Sequence, residues 1–421
     1  MAERKKIAAI VTAYFPASHG SHADLVVSKF ARGFPTSDGL LEPKVDLVSM
    51  YIDQPHWTEL GQELALEHGI EIYPSIRAAL TLTPQGRPGH WTPEDDDRPG
   101  ELAVDGVLIT GEHGDYAGNE QQRHLYPRRF FFEQVCGVFG MSGRSVPVFS
   151  DKHLAYNWAD SLWMYERARD LNVPFMAGSA LPVCSRGPEL EHELGTPVQE
   201  ALCIGYIHPF LFGLDSYGFH ALEGLQCMVE RRMGGESGIV AVQCLEGDAV
   251  WEAGKEGMWS RELAEAAEAR VEKLPPLRAF GVASEAAESP VALKEPGRME
   301  DNCRNPIVFI LEYADGLRAA TLLLPGHLRA FGYAARVDGQ VESTGFIRTG
   351  DQDEPFSFQG QNIQEMFVTG RPQYPVERTL LVSGALDALM ESRYKGHVRL
   401  ETPHLNVSYE SFDRAPIRPG R

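Results

Sequence analysis

Residues 104–116 read VDGVLITGEHGDY, an apolar run that ends in glycines and charged residues. The run is rich in Val, Leu and Ile without polar–apolar alternation, which is the pattern of a parallel strand buried on both faces. Glycine and polar residues directly after such a strand are typical of the loop that leaves a sheet. The segment therefore predicts a central strand of a parallel sheet, with Glu112 and His113 in the loop that follows it.

Five more runs of the same kind lie on either side of this one. They are, in chain order, Ile7–Val11, Val45–Met50, Ile70–Tyr73, Val146–Phe149 and Pro174–Ala177. Helical segments separate the runs; in one of them Trp158, Leu162 and Tyr165 fall on a single face. This alternation predicts a Rossmann-like, doubly wound parallel sheet with helices on both faces. Residues 83–100, rich in Pro, Gly and acid, predict a loop inserted into this domain.

The second half of the chain has a different pattern. Its strand-like runs, followed by one helical run, are Gly238–Cys244, Asn305–Tyr313, Leu317–Leu324, Phe331–Val337 and Val376–Arg393. Ala314, Asp315 and Gly316 stand between the second and third runs, and an Asp-Gly turn there predicts a β-hairpin. We therefore expect a Rossmann-like domain over 1–183 and, over 184–421, an α/β domain with a largely antiparallel, open sheet.

Composition excludes several classes of protein. The 421 residues are 43% apolar and 23% charged, a balance that supports a packed core without disulfides. The six cysteines are scattered, with no pair at CxxC spacing, which predicts buried thiols rather than a structural zinc site. Lys plus Arg against Asp plus Glu gives 39 − 59 = −20, which disfavours nucleic acid and anionic membranes as partners. Without a recognisable signal or membrane-spanning run, we expect a cytoplasmic protein.

The loop after the first predicted strand decides whether a dinucleotide is bound. A Rossmann domain usually carries several glycines there, which let the backbone approach a pyrophosphate at a helix N-terminus. Residues 12–24, TAYFPASHGSHAD, hold a single glycine. Either a nucleotide is held differently or the pocket has been given up, and Asp53 either binds a ribose hydroxyl or caps its loop. The candidate cofactor-binding residues are Thr12, Ser18, Ser21, Asp53, Glu112 and His113.

Acid/base chemistry has candidates in both halves of the chain. Lys152 follows the fifth predicted strand, where an ammonium group can donate a proton or stabilise an oxyanion. His220 stands at the predicted head of a helix, where Asp215, Ser216 or Glu223 would orient its imidazole. The candidate catalytic residues are Lys152, His220 and Asp215. The structural alternatives are a surface lysine and a core histidine.

Four segments together resemble the glucose–fructose oxidoreductase / inositol dehydrogenase (Gfo/Idh/MocA-like) superfamily. VDGVLI at 104–109 is similar to that family's "vDaVlI" strand, and DKHLA at 151–155 is similar to its "EKPla" motif, whose lysine is catalytic. YGFHALE at 217–223 resembles its "lGvHyiD" motif, whose histidine is the usual acid/base. Residues 369–396 resemble the family's closing segment. The resemblance covers nearly the whole chain, in the right order.

This resemblance implies NAD(P)-dependent hydride transfer at a hydroxyl or keto carbon of a sugar or cyclitol. It implies Lys152 and His220 as the acid/base pair, NAD or NADP as cofactor, a small carbohydrate or polyol as substrate and a homo-oligomeric protein. The sequence departs from the family pattern in three places. The glycine fingerprint is missing, His153 replaces the proline of the lysine motif, and Ser216 replaces the aspartate two residues before the motif glycine.

Two other functions remain open on the same scaffold. The first is a cofactor-free or divalent-metal-dependent lyase, hydratase or isomerase that acts on a carbohydrate in the same crevice. Several histidines would lie near that crevice and, with Glu112 or Asp151, would form a metal site. The candidate metal ligands are His19, His22, His113, His153 and His220. The second is a non-catalytic binding protein that kept only the fold.

Overall fold

The computed structural model describes residues 4–17, 20–54, 59–83, 101–208, 213–274, 292–347, 354–414 and 416–419. Ser18, His19 and residues 84–100 of the predicted loop lie outside the described residues. The strands are β1 (Lys5–Val11), β2 (Phe34–Thr36), β3 (Gly39–Leu41), β4 (Val45–Ile52), β5 (Glu71–Ile72), β6 (Gly106–Thr110), β7 (Val148–Asp151), β8 (Phe175–Gly178), β9 (Ser185–Gly187), β10 (Val198–Gly205), β11 (Ile239–Glu246), β12 (Ile307–Tyr313), β13 (Arg318–Leu323), β14 (Phe331–Val337), β15 (Gln340–Ile347) and β16 (Leu400–Glu401). The α-helices are α1 (Lys29–Arg32), α2 (Glu59–His68), α3 (Ile76–Thr81), α4 (Arg128–Ser142), α5 (Trp158–Asp170), α6 (Gly213–Val229), α7 (Asp248–Lys255), α8 (Arg261–Val271), α9 (Met299–Asn302), α10 (Glu354–Thr369) and α11 (Val376–Tyr394).

The N-terminal sheet is parallel and has the order β5-β4-β1-β6-β7-β8. Each of its six strands coincides with one of the six predicted runs, so the predicted doubly wound sheet is confirmed. Strand β1 lies between β4 and β6, and the winding reverses direction there. In such sheets, ligands bind beyond the carboxyl ends of the strands at this point of reversal.

Apolar side chains bury both faces of this sheet. On one face α4 contributes Phe131 and Phe132, while on the other Phe30 packs with Phe367 of α10. A Cβ added at Gly106 would lie 2.7 Å from the Phe367 ring, so this close approach of α10 to β6 requires glycine. Helix α10 comes from the second half of the sequence. The boundary between residues 183 and 184 stays a prediction.

The second sheet has eight strands in the order β16-β11-β12-β13-β10-β14-β15-β9. All neighbouring pairs are antiparallel except β10 and β13, which confirms the predicted, largely antiparallel open sheet. The predicted hairpin is formed by β12 and β13, with Ile307 opposite Leu323. Helices α6 and α11 cover one face of the sheet, and α7 and α8 cover the other.

Two helices differ from the sequence-based expectation. The predicted helix head at His220 is wrong, because α6 is already helical at Gly213 and His220 lies in its middle. Asp215 and Ser216 lie in the first turn of this helix rather than before it. Helix α10 was not predicted, because buried polar residues such as Gln359 and Asn362 interrupt its apolar spacing.

Two further features of the described residues concern the cysteine side chains and the lengths of the helices. All six cysteines are free thiols, five of them buried, as expected. In the described part of the chain, no helix combines the length and the apolar character needed to cross a bilayer.

Candidate active site

A crevice at the carboxyl ends of the N-terminal strands collects the polar residues of the sequence motifs. Thr12 follows β1, Glu112 follows β6, Lys152 follows β7 and Ser179 follows β8. Helix α6, from the second half of the chain, lies against these strand ends and contributes Ser216, His220 and Glu223. These three residues are spaced by four and three positions, so they share one face of the helix. Carboxyl ends of parallel strands and one helix face thus build a single site.

Lys152 and Glu112 form a buried ion pair at the centre of the crevice. The Lys152 ammonium is 2.8 Å from Oε1 and 2.6 Å from Oε2 of Glu112, and it donates to the Ser216 hydroxyl at 3.1 Å. Burial by itself would raise the pKa of Glu112, but the charge of Lys152, assisted by Arg128, holds that pKa well below its usual range. The predicted catalytic lysine is therefore buried, ion-paired with Glu112 and linked to α6 through Ser216. The alternative of a surface lysine is excluded, because Lys152 is 0% exposed.

His153, in the position of the family's motif proline, is held on both ring nitrogens. The peptide bond before it is cis. Its Nδ1 is 3.3 Å from an Arg128 nitrogen, and its Nε2 is 2.9 Å from the backbone oxygen of Asp215. Burial, together with the charges of Arg128 and Lys152, lowers the pKa of His153 well below its usual value. Since arginine can only donate, Nδ1 accepts and Nε2 donates, which leaves His153 unsuited to the predicted role of metal ligand.

Asp215, the third predicted catalytic residue, contacts two other histidines. Its Oδ2 accepts the backbone N–H of His124 at 3.1 Å, and its Oδ1 lies 3.7 Å from Nε2 of His153. Burial raises the pKa of Asp215 to about 6. These contacts anchor the start of α6 to the loop before α4, so they support a positioning role for Asp215.

His220 is connected to the buried Glu223 through Ser179. Nδ1 of His220 is 3.1 Å from the Ser179 hydroxyl, which in turn is 2.5 Å from Oε2 of Glu223. The backbone N–H of Ser179 also donates to both oxygens of Glu223. Burial raises the pKa of Glu223 to about 7. Sequence reasoning proposed Glu223 as an orienting residue but missed Ser179, whose only signal is its position directly after β8.

His22 and His113 lie beside Glu112 in the same crevice. Nδ1 of His22 is 2.8 Å from Oδ2 of the fully buried Asp151 and 3.6 Å from Oε2 of Glu112. The imidazole rings of His22 and His113 are 5.4 Å apart between centroids. Burial lowers the pKa of His113 to about 3, so this imidazole is neutral.

The polar groups predicted to bind a dinucleotide have partners within the protein. The Thr12 hydroxyl donates to the backbone oxygen of Glu112 at 2.7 Å. The two carboxylate oxygens of Asp53 accept the hydroxyls of Tyr51 and Tyr116, each at 2.7 Å. Ser21 is buried, and its hydroxyl accepts the backbone N–H three residues ahead. The prediction that Asp53 holds a ribose is thus opposed by its two tyrosine partners.

The loops after β4 and β6 are joined across the end of β1. The side-chain amide of Gln54 donates to the backbone oxygen of Asp115 at 3.1 Å, and its oxygen accepts the Asp115 N–H at 2.6 Å. The backbone N–H of Gln54 donates to the Thr12 oxygen at 2.8 Å. A pyrophosphate would normally lie at this end of β1. Among the described residues, Gln54 and Asp115 thus bridge the loops on either side of β1 at this edge of the sheet.

Comparison with known proteins relates this architecture to dehydrogenases. No protein-family model and no curated protein matches the sequence. Among solved structures, GenD2 from gentamicin A biosynthesis, in complex with NAD, is 15% identical, with 95% of this chain and 97% of that chain covered and a TM-score of 0.54. The scyllo-inositol dehydrogenase of Lactobacillus casei, with bound NAD(H) and scyllo-inositol, is 11% identical, with 95% and 99% covered and a TM-score of 0.51.

A third similar structure is the myo-inositol 2-dehydrogenase of Lactobacillus plantarum, at 11% identity, with 95% and 99% covered and a TM-score of 0.51. At such low identity, these likenesses establish the fold and nothing finer. The Gfo/Idh/MocA-like resemblance carried by the sequence motifs is thereby confirmed at the level of the fold, over nearly the whole chain.

Proposed function

We propose that this protein is an enzyme that transfers protons at a hydroxyl or keto carbon of a sugar or cyclitol, with Lys152 and His220 as its acid/base groups. One observation carries the proposal: α6 links the two groups, because Ser216 contacts the Lys152 ammonium and His220 lies one helical turn further along the same face. The two residues come from different halves of the chain. A decayed site would have no need to keep a buried, ion-paired lysine beside a partly exposed histidine.

Lys152 is suited to hold and protonate a substrate oxygen. Glu112 stabilises its charge, and the Ser216 hydroxyl accepts one of its N–H groups at 3.1 Å. A substrate hydroxyl that replaced the Ser216 hydroxyl as the partner of Lys152 would accept a hydrogen bond from the same N–H group. An oxygen that gains negative charge during the reaction would then be stabilised by a fixed cation in a buried part of the crevice.

His220 is suited to act as the base. When Glu223 is ionised, the Ser179 hydroxyl donates a hydrogen bond to it and accepts a hydrogen bond from the N–H at Nδ1 of His220. This chain of hydrogen bonds leaves the lone pair on Nε2, which is the nitrogen that would remove a proton from the substrate.

Two reaction classes are compatible with these groups. A lyase, hydratase or isomerase needs only the proton-transfer groups described, and Gln54 and Asp115 hydrogen-bond to each other across the end of β1, beside which a dinucleotide would normally bind, so we put this class first. The second candidate is an NAD(P)-dependent oxidoreductase, which the likeness to NAD-bound dehydrogenases favours. A homo-oligomeric state stays a prediction.

One experiment tests the proposal and separates the two classes. The protein is incubated in D2O with a panel of sugars, ketoses and cyclitols, and deuterium uptake at carbon is followed by NMR, with Lys152→Met as the control variant. Uptake in the wild type alone supports the acid/base assignment. NADH and NADPH are titrated in parallel by fluorescence, and saturable binding favours the oxidoreductase. Neither deuterium uptake nor turnover with any substrate, with or without nucleotide, would overturn the proposal.

A further inference from the structure

A cluster of ligand-type side chains lies beside the acid/base groups. His22, Glu112 and His113 each offer one ligand atom, and these atoms all lie within 4.8 Å of one another. The three residues come from the loops after β1 and β6, on either side of the crevice. Atoms at this separation can converge on one ion with small side-chain rotations, since metal–ligand distances are about 2 Å.

His113 carries an unsatisfied nitrogen at this point. Its Nε2 is buried and has no hydrogen-bond partner among the described residues. The residue also has a backbone φ of 71°, in the left-handed region that side chains rarely adopt, and Gly114 follows it at φ 101°. A buried nitrogen without a hydrogen-bond partner destabilises the folded protein, and such costs concentrate at binding sites. The imidazole is therefore held, against a penalty, where it faces the other two residues.

The other two residues have the supporting contacts that metal ligands usually have. Nδ1 of His22 lies 3.6 Å from Oε2 of Glu112 and contacts the buried carboxylate of Asp151 at 2.8 Å; this partner fixes the ring and, when Nδ1 carries the proton, leaves the lone pair on Nε2. Glu112 accepts hydrogen bonds from Lys152 and Ser216. Carboxylate-bound histidine and hydrogen-bonded carboxylate are the common outer shell of protein metal sites.

We propose that His22, Glu112 and His113 bind one divalent first-row metal ion, with Zn²⁺ as the best match. Two imidazoles and one carboxylate are a donor set that Zn²⁺ accepts, and three protein ligands leave a position for a substrate hydroxyl or water. The ion would lie next to Lys152, so a polyol bound there would contact both. The proposal adds a metal to the proposed function but does not depend on the reaction class.

The charged neighbours of the three ligands should have opposite effects on metal affinity. The ammonium of Lys152 contacts both oxygens of Glu112 and opposes a second cation, whereas Asp151 adds a negative charge beside His22. Removing the ammonium should therefore strengthen metal binding, while removing Asp151 should weaken it. A nonspecific surface site would respond to neither change.

The test uses the full-length protein, freed of any tag and stripped of metal with a chelator. Zn²⁺ binding is measured by calorimetry, and Co²⁺ binding by its visible absorption. We expect one ion per chain, loss of binding in His22→Ala and His113→Ala, and weakening by roughly 10–100-fold in Asp151→Asn. Lys152→Met should tighten binding by about tenfold or more. The control is His68→Ala, at the end of α2, which should leave binding unchanged.

Several results would overturn the metal site. They are the absence of stoichiometric binding at millimolar Zn²⁺, binding that survives both histidine substitutions, and weaker binding in Lys152→Met. Circular dichroism checks the fold of each variant, and His113→Gln replaces His113→Ala if the latter does not fold. Because metal affinity is measured without a substrate, the metal site and the proposed reaction can fail independently of each other.

Discussion

Replacing the buried Glu223 by Gln should change how the stability of the protein depends on pH. Glu223 is 0% exposed, and burial raises the pKa of its carboxyl from 4.5 to about 7. Between these two pH values the native protein keeps a proton that the unfolded chain has lost. The free energy of unfolding of the wild type therefore falls as the pH rises through this window.

The magnitude follows from the two pKa values. At about 1.4 kcal/mol per pH unit, the rise from 4.5 to about 7 corresponds to about 3 kcal/mol, most of it lost between pH 5 and pH 8. Gln at this position does not titrate. The loss of the Ser179 hydrogen bonds changes the stability of Glu223→Gln by an amount that is independent of pH. The difference between variant and wild type should therefore shift by about 3 kcal/mol in favour of the variant.

Urea unfolding, followed by tryptophan fluorescence at several pH values from 5 to 8, measures this shift. The control is Glu252→Gln, because the Glu252 side chain is 63% exposed and should give no pH-dependent difference. The buried Asp215 contributes equally to both proteins and cancels. Parallel pH profiles for wild type and Glu223→Gln would refute the argument, since Glu223 would then titrate alike in the folded and unfolded states.

Three further predictions concern the proton-transfer groups and the packing of α11. Lys152→Met should lower kcat by about 10²–10⁴-fold with little change in KM, and equal losses in kcat and in affinity would argue against a role in the transition state. Ser179→Ala should shift the pH profile of kcat, because it breaks the link from His220 to its buried carboxyl, and Ser179→Thr should restore the profile; an unchanged profile would remove Ser179 from the mechanism. Gly384→Ala should destabilise the fold by about 1–3 kcal/mol in urea unfolding, because its Cβ would lie 2.5 Å from side chains of two neighbouring segments. Gly140→Ala, in a helix with open space around it, is the matched control and should be neutral or stabilising.

Long-range contacts explain which parts of the site could not be predicted. Glu112 and Lys152 are 40 residues apart in sequence, and Gln54 and Asp115 are 61 residues apart. Each of these residues alone was compatible with an ordinary loop. Only the order of the strands decides that Gln54, after β4, and Asp115, after β6, meet at the end of β1, which lies between these two strands.

Helix α6 shows the same division between local and long-range information. Its motif, YGFHALE, identified His220, but fourteen of the 17 residues in the helix are buried, so its sequence lacks the single apolar stripe that marks helix boundaries. The predicted start was therefore wrong. Ser179, which connects His220 to Glu223, carries no motif and was missed.

The sequence by itself determined the two-sheet architecture, because strand and helix periodicity are local consequences of which side chains must be buried. It also determined that lysine, histidine and acidic residues follow the strands, where ligands bind in wound sheets. The tertiary structure alone decided which of these groups meet. Ion pairs and hydrogen bonds act over a few ångströms between segments distant in the chain, so the partners of Lys152, His220 and His113 depend on how the strands and α6 come together.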